Sequence, residues 1–346
     1  MYQNRIAKWD NLKLLLIFCV VVGHTIYTFH NTSLLARSLY LFLYSFHMPA
    51  FLFVAGLFSK HAVRARRYET VVEYLVIYVV MKFLETVGDY LAKGKLSFHF
   101  LWEAGPAWFA LALAVFLFVT MLVQEMNPRF LFLSALLVGC VAGLDTHFGD
   151  HFASMRICVF YPAFLAGFYL EPTWFELRWR TLRKRVGLRV LSALVLAGCL
   201  FLSLRYQKQL YPLVKLFKGK YEYKEMDYGL EGVLIRLACY LFWAVMICAV
   251  LFLAGEKERF YTWLGQRTMS VFIWHSLVLV TVLNLCHGTA LLKFCFPQLY
   301  VLAAVCVAGI LTVLCAYLPQ IRMPKPTVVG TEPEGGEREE EDEYET

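Results

Sequence analysis

Apolar residues in this chain come in long runs rather than in strict alternation. Ten such stretches lie near 12–30, 36–59, 70–91, 106–123, 130–143, 157–170, 188–204, 229–254, 269–286 and 296–318. Several reach the roughly 20 residues that an α-helix needs to cross a bilayer; the fourth to sixth are shorter or bounded by Gly and Pro. The pattern predicts an all-α, polytopic bundle of about ten transmembrane helices over residues 1–323. The first run is too long for a cleavable leader, and no small-residue cleavage pattern follows it. No internal repeat is visible, which disfavours the inverted-repeat transporter folds. Beyond Pro324 the chain becomes a mixture of Pro, Gly and Glu that cannot bury a core, so residues 324–346 are expected to form a disordered acidic tail.

Composition narrows the class. The chain is 60% hydrophobic and only 17% charged, against roughly a quarter charged in a soluble domain. This excludes a cytosolic globular protein, a disordered chain, a coiled coil and a small disulfide scaffold. The net charge of +7 conceals an asymmetry: residues 331–346 hold nine acidic side chains against Arg338, leaving +15 on the rest. In an apolar chain such a basic excess marks cytoplasmic loops rather than nucleic-acid binding. With the N-terminus placed in the cytoplasm, the Lys and Arg of 5–8, 60–67, 129, 178–185, 257–267 and 322–325 fall inside. Few fall outside, apart from those of the 205–228 segment, which also carries Glu222, Glu225 and Asp227 and reads as a small folded or interfacial cap. The expected protein is a multi-pass cell-membrane protein with both termini cytoplasmic.

Ten cysteines lie mostly within the apolar runs, and no C-x-x-C pair occurs, so neither a zinc site nor a redox dithiol is indicated. Cys286 and Cys295 flank a short loop and could pair in an oxidising space or remain free thiols. Asp145, His147, Asp150 and His151 share one loop, with a spacing that fits no metal motif. No metal is expected.

The first apolar run carries the most suggestive chemistry. Ionisable residues in a span are costly and tend to face the protein interior or a water-filled cavity. At about 100° per residue, Lys13 and His24 share one helix face, roughly 16 Å apart along the axis, and Asp10 sits one turn before Lys13. Two readings stand open: Asp10 and Lys13 mark the helix entrance while His24 caps its far end, or the stripe joins a cation at the cytoplasmic rim to an imidazole able to exchange a proton near neutral pH. The Arg64, Arg66 and Arg67 cluster is either an orientation signal or a clamp for phosphate oxygens. His47, just before Pro49, orients substrate or bonds a neighbouring helix. Arg156 binds an acceptor or snorkels to headgroups. For His275, helix–helix bonding is the simpler reading, as packing is for Trp108 and Phe109. Lys82, Glu85 and Asp89 have the spacing of a local ion-pair group.

Several strings resemble the membrane acyltransferase 3 family, in its fucose 4-O-acetylase-like branch. They are Trp9-Asp10-Asn11-Leu12-Lys13 with His24, Phe46-His47-Met48-Pro49 through Gly56, Trp108-Phe109, Arg156 with Phe160-Tyr161-Pro162-Ala163-Phe164 and Gly167, and Leu264-Gly265-Gln266-Arg267-Thr268-Met269 with His275. The resemblance runs in order from about residue 8 to 280. It implies a ten-helix O-acyltransferase that moves an acyl group, often acetyl, from cytoplasmic acyl-CoA (acetyl-CoA) to a hydroxyl of a cell-envelope carbohydrate or lipid-linked glycan. The family's Arg and His pair falls on Lys13 and His24, and its Arg-x-x-Arg element on Arg64 and Arg67. Lys in place of Arg keeps the charge and loses the bidentate fork. On this basis His24 is the expected catalytic base, Lys13, Arg64 and Arg67 contact CoA, and His47 and Arg156 contact the acceptor. The alternative is a multi-pass transporter of a small polar solute.

Overall fold

The computed structural model describes residues 7–27, 30, 33–94, 98, 102, 105–146, 151–170, 181–182, 184–285 and 297–321. The first half of the chain forms α1 (Ala7–Tyr27), α2 (Leu34–Tyr44), α3 (His47–Arg64), α4 (Tyr68–Lys93), α5 (Trp108–Val123), α6 (Pro128–Val141) and α7 (Ser154–Tyr169). The second half forms α8 (Val186–Arg205), α9 (Gln207–Leu210), α10 (Leu213–Lys218), α11 (Glu231–Leu253), α12 (Thr262–Gln266), α13 (Thr268–Leu285) and α14 (Pro297–Tyr317). The protein is all-helical, and among the described residues the only extended pairing is an isolated bridge between Trp102 and His151. Each of the ten apolar stretches carries a helix. By length and composition, four helical segments among the described residues are sufficient to cross a bilayer: Ala7–Tyr27, Leu34–Arg64, Val186–Arg205 and Glu231–Leu253. The acidic tail, the Cys286–Cys295 loop, and His147 and Asp150 lie outside the described residues.

A helix that is apolar on every side belongs in the interior, and α1 has this character. Leu12, Leu16, Ile17, Val21 and Ile26 are fully or almost fully buried, and α1 packs against α2, α3, α12, α13 and α14. By contrast, α8 turns Val190, Leu191, Leu194 and Phe201 outward, as a helix bathed in lipid does. The tightest crossing joins α3 and α7. A Cβ on Gly56 would run into the Phe164 carbonyl, and one on Gly167 into the Phe53 carbonyl, so the two backbones touch through reciprocal glycines. This crossing accounts for the spacing of two of the sequence strings. A third glycine, Gly265, lets α12 lie on the backbone of Asp10 at the start of α1.

The structure departs from the sequence pattern at two places. The stretch 36–59 is two helices, broken at Ser45–Phe46 immediately before His47. Pro49 therefore sits in the first turn of α3, where a missing N–H costs nothing, rather than in the middle of a helix. Lys60, counted among the loop charges, is buried and donates to the Leu170 carbonyl. The 205–228 segment does fold: Val214, Leu216, Phe217 and Tyr223 are buried. The Tyr223 hydroxyl donates to the Cys140 carbonyl (2.6 Å), and the Arg236 guanidinium donates to the Leu216 carbonyl (2.7 Å).

Candidate active site

The face of α1 predicted to be functional is occupied in order by Lys13, Ile17, Val20 and His24. The last three line one narrow void together with Met48 and Phe51 of α3, Pro106, Trp108 and Phe109 at the start of α5, and Phe272 of α13. The void measures about 30 Å³, enough for a water and far too small for a thioester. His24 thus faces protein rather than lipid.

His275 approaches the same imidazole, with the ring centroids of His24 and His275 5.2 Å apart. The Nδ1 of His275 lies 2.8 Å from the Phe272 carbonyl and 3.1 Å from that of Val271. Carbonyls only accept, so Nδ1 carries the proton and Nε2 is left as the lone-pair nitrogen. Among the described residues that buried Nε2 meets no hydrogen-bond partner, and a buried polar atom left so calls for an explanation.

Two cations come from elsewhere in the chain. Arg156, near the start of α7, is buried, with its guanidinium 5.0 Å from the Trp108 ring centre. Trp108 stacks on Phe160 at 5.5 Å, and Phe160 on Trp243 at 5.2 Å, so the cation rests on a ladder of rings beside the His24 void. Its burial rules out a headgroup-snorkelling position. Lys218 closes α10, and its ammonium lies 5.2–5.4 Å from the ring centres of Tyr27, Tyr40 and Tyr44, a cation–π cage. Gly219 adopts the left-handed conformation (φ 62°) that ends the helix and lets the chain turn away. His24 lies within electrostatic range of Arg156, Lys218, His47 and His275. His47 donates from Nδ1 to the Leu43 carbonyl across the α2–α3 break (2.6 Å), and Tyr44 meets its ring edge-on at 4.8 Å.

At the opposite end of α1, Lys13 pairs with Asp10 (2.7 Å) and lies 5.7 Å from the Phe58 ring centre of α3. Asn11 anchors this end: its amide donates to the Gly255 and Lys257 carbonyls (both 3.0 Å) and accepts from the Thr262 hydroxyl (2.7 Å). Arg64 and Arg67 are exposed at the α3–α4 junction, about a turn and a half beyond Phe58. Between them Arg66 takes a left-handed conformation (φ 48°). The predicted residues therefore divide into two groups, Lys13, Arg64 and Arg67 at one end and His24, His47 and Arg156 at the other. Sequence reasoning named His275 as a helix–helix contact and as part of one family-like string, without bringing it to His24, and nothing in the loop pattern singled out Lys218.

A single family model, described as an acyltransferase domain, matches residues 6–319. The chain belongs to the acyltransferase 3 family. It is a membrane acyltransferase, and the match takes in both ends of α1 and every helix that borders the His24 void. No curated protein and no solved structure matches the chain. Membership of the acyltransferase 3 family gives the facing imidazoles of His24 and His275 a chemical context: acyl transfer needs a group to take a proton from the acceptor and return it to the leaving group.

Proposed function

We propose that this protein is an O-acyltransferase that moves an acyl group, acetyl in the first instance, from acyl-CoA to a hydroxyl of a cell-envelope carbohydrate or lipid-linked glycan. Both termini are cytoplasmic in this reading. The donor approaches the Lys13 end, where Lys13, Arg64 and Arg67 meet its phosphates, and the acceptor approaches the His24 end. No metal takes part. The observation that carries the reading is the His24–His275 ring pair, with Arg156 and Lys218 in electrostatic range of His24, in a chain of the acyltransferase 3 family.

In the chemical step, neutral His24 takes the proton of the acceptor hydroxyl as its oxygen attacks the thioester carbonyl. A new C–O bond forms, the C–S bond breaks, and the imidazolium returns its proton to the departing thiolate. The ledger closes with an ester, a free thiol and neutral His24. Arg156 and Lys218 set a positive field around a carbonyl oxygen that gains negative charge during attack. His47 and Arg156 contact the acceptor.

The test uses the full chain in lipid nanodiscs, following free thiol release from acetyl-CoA with and without carbohydrate acceptors. His24→Ala should lower transfer by about 10²–10⁴-fold. Normal transfer by that variant would sink the assignment of the base. Solute uptake into vesicles without thioester cleavage would favour a transporter instead.

A further inference from the structure

A cavity of about 450 Å³ opens beside the His24 void and shares Pro106 with it. Its walls come from the end of α1 at Tyr27, three residues after His24, from α4, and from α13 at Ser276, the residue after His275. It is the size of a small-ligand site, whereas the void at His24 is the size of a water. On α4 the lining residues Lys82, Glu85 and Asp89 follow one face, and Trp102 is half-exposed at the cavity wall. Lys82 is buried and committed to protein acceptors: it pairs with Glu85 (3.4 Å) and donates to the Trp102 carbonyl (2.9 Å). Glu85 also accepts from the Ala107 backbone N–H (3.1 Å), which fixes the approach to α5 and hence to Trp108.

From this geometry we infer that the Glu85–Asp89–Trp102 cavity is the acceptor subsite, and that it takes an uncharged polyhydroxyl ring in preference to a uronic or other anionic sugar. The inference rests on the acyltransferase reading above and adds a place and a charge preference to it. Carboxylates accept hydrogen bonds from hydroxyls, an indole offers an apolar surface to the C–H face of a sugar ring, and the Ser276 hydroxyl can donate or accept. The Thr86 hydroxyl already donates to the Lys82 carbonyl (2.9 Å), which leaves its lone pairs for a ligand. A carboxylate on the ring would meet two carboxylates and an ammonium whose protons already serve protein oxygens. Such unfavourable pairing is how a site excludes a competitor.

The experiment uses the full chain in nanodiscs with methyl β-glucopyranoside and methyl β-glucuronopyranoside as probes. Direct binding is read by ligand-observed NMR without donor, and ester formation by mass spectrometry with acetyl-CoA. Wild type should bind the neutral glycoside, and acylate it, at least about tenfold better than the uronic one, a difference on the order of one charge–charge contact. Trp102→Ala should weaken glycoside binding and raise the acceptor KM about tenfold, with the acetyl-CoA KM unchanged. Asp89→Asn should narrow the neutral-to-uronic ratio several-fold. If wild type binds neither probe, or if both variants bind and discriminate as wild type does, the subsite is wrong, whatever the transfer activity. If the variants shift binding as stated but no ester forms and no thiol is released, the subsite stands and the proposed transfer from acetyl-CoA to a carbohydrate hydroxyl falls.

Discussion

His275 tests the idea that the centre is built for chemistry rather than for packing. A buried nitrogen with no partner costs on the order of 1–3 kcal/mol, and among the described residues His275 Nε2 is in that position 5.2 Å, ring to ring, from His24. Its Nδ1 bonds only carbonyls of its own helix, which keep their helical partners if the ring is removed. His275→Leu should therefore leave thermal stability unchanged or raise it, because it replaces an orphaned polar atom with packing. The same variant should lower kcat about tenfold or more, with the acyl-CoA KM unchanged, because the groups assigned to CoA lie at the other end of α1. Thermal unfolding and thiol release on the same preparation check both halves. A variant that loses stability and keeps kcat would return His275 to a structural role. Active centres hold strained or unsatisfied groups of this kind at the expense of stability.

At the scale of helices, the α3–α7 crossing carries a comparable cost in a different form. Gly56 and Gly167 each abut a carbonyl of the opposite backbone, which cannot swing aside as a side chain can. Either Gly→Ala substitution should destabilise the fold by about 1–3 kcal/mol or more, seen as a lower midpoint in thermal or denaturant unfolding. Gly198 on α8 has open space around it, so Gly198→Ala should be neutral or stabilising by up to about 1 kcal/mol through helix propensity alone. Equal effects at the three sites would mean that the crossing is looser than described. These positions also mark what could be read in advance. Apolar runs announce helices because a helix in lipid must be apolar along its whole length, and each of the ten runs carries one. The break before His47 was hidden because Leu41 to Phe53 is apolar on both sides of it, so periodicity has no contrast to report. The stripe from Lys13 to His24 follows from helical pitch within one element. The meeting of His24 with His275, and of Lys218 with three tyrosines, depends on how distant elements pack, and no local pattern encodes that. Arg156 illustrates the division: its charge beside the sixth run was visible, whereas its seat on Trp108 was not.

Across the whole molecule, the two groups of site residues are separated by the length of α1, and the proposed chemistry requires that something pass between them. Lys13 and His24 lie about 16 Å apart along the axis, and Ile17 and Val20 occupy the same face between them against α3. The space at His24, about 30 Å³, admits a water and no acyl thioester, so the α1–α3 seam has to open for the donor to reach the imidazole. The proposed chemistry uses no residue of the acidic segment 324–346. Deletion of residues 324–346 should leave transfer within about twofold of wild type, the scale of a surface change; abolished transfer would point to a docking role instead. The seam itself can be plugged. Val20→Trp adds an indole on the path next to His24, while Val20→Ala widens the same place. If the donor runs along this face, the Trp variant should lose transfer by about tenfold or more even when thermal unfolding shows it folded, and the Ala variant should retain it. The loss should be larger for a longer acyl chain than for acetyl, because a plug acts on girth and length rather than on the thioester itself. Acceptor binding at the Glu85–Asp89–Trp102 cavity should be unaffected by either variant, since Val20 is absent from its walls. Wild-type transfer by a folded Val20→Trp protein would mean that donor and acceptor reach His24 from the same side.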